Sequence, residues 1–163
     1  MDKKTAFTTI IQQHEGLIYK VAGFYVDNWH DRQDLAQEII YQLWKSFDSF
    51  DNRSAITTWM YRVAMNTAIY FLKSSKRRVS LASIDNDTLE YPETVDAETE
   101  ERLKTMHGQI KELNLLEKGI VMLYLEGKSH EEISQLVGIS TSNVGTRLSR
   151  IKEKLKKQIA KTK

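Results

Sequence analysis

The chain has 163 residues, enough for one ordinary domain or two small ones. It holds no cysteine, which excludes disulfides, thiolate zinc sites and cysteine nucleophiles, and its 40% hydrophobic and 28% charged residues are the balance of a globular chain in water. The net charge of +2 conceals three blocks: eleven Lys/Arg and eight Asp/Glu over residues 1–80, two and eight over 81–108, and eleven and six over 109–163. Two mildly basic blocks thus flank an acidic one. Either these are solvated faces, or two modules face nucleic acid around a segment that avoids or mimics the polyanion.

With seven glycines and the single proline Pro92, the chain is free to form long helices. Residues 3–26 place Phe7, Ile10, Ile11, Leu17, Ile18 and Val21 at helical spacing, with Gly16 and Gly23 as weak points. The polar break "DNWHD" at 27–31 offers capping residues. A second helix is expected over 31–47 and a third over 55–73, separated by the loop "DSFDNRS" at 48–54. Periodicity fades from Ser80 to about Glu98, where "SLASIDNDTLEYPETVDAETE" has the acidic, turn-forming character of a linker. Helical pattern resumes near Glu100 and runs through "LLEKGIVMLYLEG", where Gly127 is suited to a C-terminal cap. The fold expected is all-α: two small helical domains, 1–80 and 100–163, joined by a flexible acidic linker over 81–99.

The C-terminal stretch "SHEEISQLVGISTSNVGTRLSRIKEKLKK" reads as two helices around a tight turn. Ser129 and Glu132 fit a capping box, Gly138 suits the turn, and Ser140 can cap the second helix. On that helix Val144, Leu148, Ile151 and Leu155 fall within an arc of about 60° and form a packing seam. Ser142, Thr146, Ser149 and Arg150 face away from it, Arg147 flanks them, and Lys156 and Lys157 follow. Hydroxyls and arginine at the start of a second helix suit the major groove, and lysines near its end suit phosphates.

In the front half, Leu35, Ala36, Ile39, Ile40, Leu43, Trp44 and Phe47 fill one side of the helix over 31–47. Asp34, Gln37, Glu38, Tyr41 and Lys45 occupy the other. That acidic and amide stripe is ill suited to DNA phosphates and well suited to a basic protein surface. Segment 54–78 combines Trp59, Tyr61, Tyr70 and Phe71 with Arg62, Asn66, Lys73, Lys76, Arg77 and Arg78. Rings beside cations and an amide are what unpaired bases require, although most aromatics at helical spacing belong to cores.

Three segments in register resemble the bacterial RNA polymerase sigma factors of the extracytoplasmic-function type. They are "DRQDLAQEIIYQLWKSFDSF" with its D-L-x-Q-E, "TTWMYRVAMNTAIYFLKSSKRR" with W-x-x-R-x-A-x-N, and the helix pair with V-x-x-R-L-x-R. The resemblance covers nearly the whole chain. It implies that Asp34, Leu35, Gln37 and Glu38 dock on the clamp helices of the largest subunit of core RNA polymerase. It implies that Asn66 lines a pocket for an unpaired minus-ten base, which Ile56 and Thr57, in the loop before Trp59, help to capture. Arg62, Lys73, Arg77 and Arg78 would hold DNA backbone, and Ser142, Asn143, Thr146, Arg147 and Arg150 would face the minus-thirty-five duplex. The acidic linker would thread toward the polymerase cleft, and an anti-sigma protein is an expected partner. One departure is Gly145, where many relatives carry a basic residue.

A stand-alone helix-turn-helix regulator with a helical dimerisation or sensor domain is the competing reading. It leaves the 34–45 stripe and the W…R…N helix without a role. No enzyme, cofactor or metal is expected, since His14, His30, His107 and His130 lack ligand spacing and no phosphate loop or nucleophile motif occurs. No apolar run approaches the roughly 20 residues of a membrane span, and "MDKKTAFTTIIQQHEG" has no secretory h-region, so a cytoplasmic location is expected.

Overall fold

The computed structural model describes residues 2–79, 108–110 and 112–161, and among them every regular element is helical. The chain divides into two compact units, Met1–Asp87 and Thr88–Lys163. The expected linker over 81–99 and the helical pattern through Leu103 and Met106 lie outside the described residues.

The first unit contains α1 (Lys3–Gln13), α2 (Glu15–Tyr25), α3 (Trp29–Ser46), a 3₁₀ turn (Phe47–Ser49) and α4 (Ile56–Val79). Asp2 caps α1 by accepting the Thr5 amide at 2.7 Å, and hydrogen bonding to Thr5 holds its carboxyl below the usual range. The single helix expected over 3–26 is two. The break falls at His14 (φ −120°, ψ 22°), not at either glycine. It frees α1 to follow its own packing: Phe7 sets its ring edge-on to Trp44 (5.1 Å) and Phe47 (5.5 Å), beyond the bundle that α2 enters.

That bundle is α2, α3 and α4. Ile18, Val21 and Ala22 of α2, Leu35, Ala36, Ile39 and Leu43 of α3, and Met60, Ala64 and Ala68 of α4 are fully buried. Tyr25 is also buried, and desolvation pushes its phenol pKa up, so it stays neutral. Ile40, Trp44 and Phe47, expected in the same arc as Leu35, are only half-buried because they lie at the edge of the seam.

The polar break expected over 27–31 is shorter, because α3 starts at Trp29 and not at Asp31; the capping residue is Asn28, whose Oδ1 accepts the Asp31 amide at 3.1 Å. Arg32 secures the same corner. Its guanidinium donates to the carbonyls of Val26 (3.3 Å) and Asp27 (3.1 Å) beyond the end of α2. A Cβ on Gly23 would sit 3.5 Å from Arg32 Nε, so the helix is narrow where the guanidinium lies.

In the second unit a helical stretch at 108–110 precedes α5 (Leu115–Leu125), α6 (His130–Val137) and α7 (Thr141–Lys161). Helix α5 is opened by a capping box between Asn114 and Glu117. It is buried over five consecutive residues, Gly119–Leu123, and therefore on every side. Gly127 (φ +82°) closes it in a Schellman arrangement, with Lys128 N–H on the Leu123 carbonyl and Gly127 N–H on that of Tyr124, both at 3.0 Å. Ile133 and Leu136 of α6 and Val144, Leu148 and Ile151 of α7 complete this core.

Arg32→Ala removes two charge-assisted bonds to partly buried carbonyls at the α2–α3 corner. It is expected to destabilise the first unit by about 1–3 kcal/mol, read as a lower denaturation midpoint with an unchanged denaturant slope.

Candidate nucleic-acid and docking surfaces

The buried seam of α3 turns a polar stripe outward. His30, Asp34, Gln37, Tyr41 and Lys45 recur every three or four residues, and all are exposed. His30 Nε2 lies 3.6 Å from Asp34 Oδ2, and the Lys45 ammonium lies 5.4 Å from the Tyr41 ring centre. Glu38 borders the stripe, half-buried, with one carboxylate oxygen accepting from Gln42 Nε2 at 3.0 Å. Leu35 does not belong to this surface. It is fully buried, because a residue adjacent to Asp34 falls about 100° further round the helix, and its role is to hold the stripe in place. Tyr41, in sequence one member of the polar side among others, is 53% exposed and puts an aromatic ring on that stripe.

Helix α4 presents a second surface. Arg62, Asn66, Tyr70 and Lys73 are exposed along one face, whereas Trp59 and Tyr61 are buried. Trp59, expected beside the DNA, is instead packed with its ring centre 5.0 Å from Phe50 and 6.3 Å from Phe47. It anchors the loop that precedes α4, because an indole at this spacing stabilises more by burial than by exposure. In that loop Asn52 takes a left-handed conformation (φ 62°), and Asp51 accepts from the Arg53 amide and pairs with its guanidinium at 2.9 Å.

Ile56 and Asn66 line different cavities. Ile56 and Thr57, expected in the loop before Trp59, are instead the first two residues of α4; Ile56 borders a cleft of about 320 Å³ with Ile10, His14, Phe47 and Phe50, and Thr57 is half-buried. Asn66 lines a groove of about 370 Å³ between α3 and α4 with Glu38, Gln42, Thr67 and Tyr70. The side chains of Arg77 and Arg78 lie outside the described residues.

The third surface is the start of α7. Ser129 and Glu132 form the expected capping box, Gly138 is left-handed (φ +79°), and Ser140 Oγ accepts the Asn143 amide at 3.1 Å. The Ser134 hydroxyl donates to the Ile139 carbonyl and locks the turn. Ser142, Asn143, Thr146 and Arg150 are exposed, and Arg147 is half-buried. Arg147 Nε donates to Asn143 Oδ1 at 3.0 Å, which orients both side chains, and Thr146 donates to its own helix at the Ser142 carbonyl. Gly145 faces α6: a Cβ there would meet the His130 ring at 3.6 Å, ordinary contact distance. Its site is therefore against the first helix of the pair, away from Arg150.

Among the described residues every element is helical, and the second unit carries a capped helix-turn-helix, a motif of the DNA-binding class of proteins. Residues 10–78 match the family described as Sigma-70 region 2, and residues 104–155 the family described as Sigma-70, region 4. The RNA polymerase sigma factor SigV of Bacillus subtilis (strain 168) is 30% identical over 161 residues, spanning 97% of this chain and 93% of that protein. The ECF RNA polymerase sigma factor SigW of the same strain is 30% identical over 168 residues, spanning 94% and 89%. The structure of the sigma factor RpoE in complex with the anti-sigma factor NepR from Bartonella quintana shares the fold, with a TM-score of 0.77 at 16% identity over 95% of this chain and 97% of that one. The chain belongs to the sigma-70 family, as a sigma factor of the extracytoplasmic-function type that directs transcription initiation. The reading as a stand-alone regulator is not favoured.

Two glycines of the helix pair have opposite expected responses to alanine. Gly138→Ala, at a left-handed position, should destabilise the second unit by about 1–2 kcal/mol. Gly145→Ala, inside a helix with room for a methyl, should stabilise it by up to about 1 kcal/mol. Thermal unfolding of the two variants measures both signs.

Proposed function

We propose that the chain works by lending two DNA-reading surfaces to core RNA polymerase, to which it is held by the outer stripe of α3. The observation that carries this is the division of the first unit into two faces of opposite character. Asp34 and Gln37 make α3 acidic and amide-rich on its outer side, with half-buried Glu38 at its border, while Arg62, Asn66 and Lys73 make α4 cationic and amide-bearing. The first suits a basic protein surface such as the clamp helices of the largest subunit, with Tyr41 at its centre and Leu35 beneath it. The second suits promoter DNA around the minus-ten element, with Ile56 and Thr57 at the entry to α4 and Arg77 and Arg78 toward its end.

In this reading residues 1–80 form the polymerase-binding and melting domain, 81–99 the acidic linker, and 100–163 the minus-thirty-five domain. There Ser142, Asn143, Thr146, Arg147 and Arg150 approach the duplex. The Arg147–Asn143 bond supports it, because a pre-oriented guanidinium and amide lose less entropy on contact. The protein acts in the cytoplasm, catalyses no reaction and needs no cofactor. The anti-sigma complex of RpoE supports an anti-sigma partner for this chain as well, one that competes for the same surfaces.

The test is run-off transcription with core polymerase free of other sigma subunits, together with a direct measurement of core binding. The full chain should form a complex and initiate; failure to bind core removes the proposal. Asp34→Lys places like charge against the basic partner and should weaken core binding by about 10–100-fold. If it binds normally, the stripe is assigned to the wrong partner. Arg150→Ala should leave core binding intact. If it touches phosphate, the slope of log affinity against log salt on a minus-thirty-five duplex becomes shallower by about 0.9; if it reads a base edge, affinity falls with the slope unchanged.

A further inference from the structure

Helix α4 carries four aromatic residues, and the bundle treats them differently. Trp59 and Tyr61 are buried and Phe71 is half-buried, but Tyr70 is 73% exposed. It stands on the same face as Asn66, one turn before it, and Lys73, about one turn after it, with Arg62 two turns before. Tyr70 also forms one side of the groove of about 370 Å³ between α3 and α4, within the range of about 300–1,000 Å³ typical of small-ligand sites. A ring that adds nothing to the core, on a helix whose other rings are packed, is free to act on a partner.

We infer that Tyr70 is a stacking platform for one unpaired base of the minus-ten element, seated in the α3–α4 groove. The inference rests on the proposed function and adds to it a residue and a chemical preference. The groove wall supplies the preference. One of the two Gln42 Nε2 hydrogens goes to Glu38 Oε1 at 3.0 Å, and the Gln42 carbonyl oxygen and the remaining carboxylate capacity stand as the acceptors of the wall. Negative charge and acceptors in the wall oppose a phosphate and favour a base edge that donates, such as the exocyclic amine of adenine or cytosine. The Asn66 amide can complete the pairing with either a donor or an acceptor. Thr67 takes no part in reading, since its hydroxyl donates to the Val63 carbonyl at 2.7 Å. The cations that track the sugar–phosphate backbone, Arg62 and Lys73, sit on the exposed face of α4 outside this wall.

The experiment uses holoenzyme reconstituted from core polymerase and the full chain, bound to fork DNA whose minus-ten element is single-stranded on one strand. Tyr70→Ala should weaken fork binding by roughly 5–100-fold, the range of one lost base–ring stack. Tyr70→Phe should retain binding close to the wild type, because the ring and not the hydroxyl does the stacking. Making the minus-ten bases abasic one at a time should reveal one position at which the Tyr70→Ala defect disappears, and that position should carry an amine-bearing base. Binding of both variants to core, and to a duplex lacking the single-stranded element, should match the wild type. Equal fork affinity for Tyr70→Ala and wild type overturns the inference. So does a defect that no single abasic position removes, or one that appears already in core binding. A failure of the underlying function looks different, because the wild-type chain itself then forms no complex with core.

Discussion

Leu35, Ile39 and Leu43 lie at four-residue spacing on α3 and have no solvent exposure at all. Each such side chain contributes about 1.5–3 kcal/mol by leaving water, whereas an exposed ion pair contributes at most about 1 kcal/mol. The seam therefore decides how α3 is rotated about its axis, and the polar residues have no say in it. With the seam inward, Asp34, Gln37 and Tyr41 must face solvent. The same constraint on α4, through Met60, Ala64 and Ala68, sends Arg62, Asn66 and Tyr70 outward. Two faces of different side-chain character are thus by-products of one core.

The second unit meets a different constraint. Helix α5 is buried on every side over Gly119–Leu123, so the helix pair that follows must pack on that stretch and still leave one face free. That geometry is set by short-range bonds: the Ser129–Glu132 capping box, left-handed Gly138, the Ser134 hydroxyl on the Ile139 carbonyl, and Ser140 on the Asn143 amide. Each satisfies a backbone group that the helix ends would leave orphaned. The result is a start of α7 with Ser142, Asn143, Thr146 and Arg150 exposed on the side away from the seam of Val144, Leu148 and Ile151, and with Arg147 held by Asn143.

Where the structure departs from the sequence reading, the cause is depth and not direction. A helical wheel locates a face but cannot say how far the neighbouring helices cover it. Leu35 adjoins Asp34 in a motif that the resemblance assigns to docking, yet it lies at the centre of the core. Trp59 and Tyr70 are both aromatic and both beside basic residues. Only packing against Phe50 and Phe47 distinguishes the buried indole from the exposed phenol. The break at His14 carries no glycine or proline signal, and the packing it allows is remote: Phe7 meets Trp44 and Phe47, more than thirty residues away in the chain.

The sequence by itself determined the helices, their caps, the turn glycines and the two-sided patterns, because these depend on period, propensity and hydrogen bonds within four or five residues. It also carried the family, through three motifs in order. The tertiary structure alone decided which members of each motif reach solvent. It bent the first helix, withdrew Leu35 and Trp59, set Gly145 against His130, separated Ile56 from Asn66 and left Tyr70 standing at a groove walled by Glu38 and Gln42. Those outcomes depend on contacts between residues distant in the chain, and no local pattern encodes how tightly two helices close over a given ring.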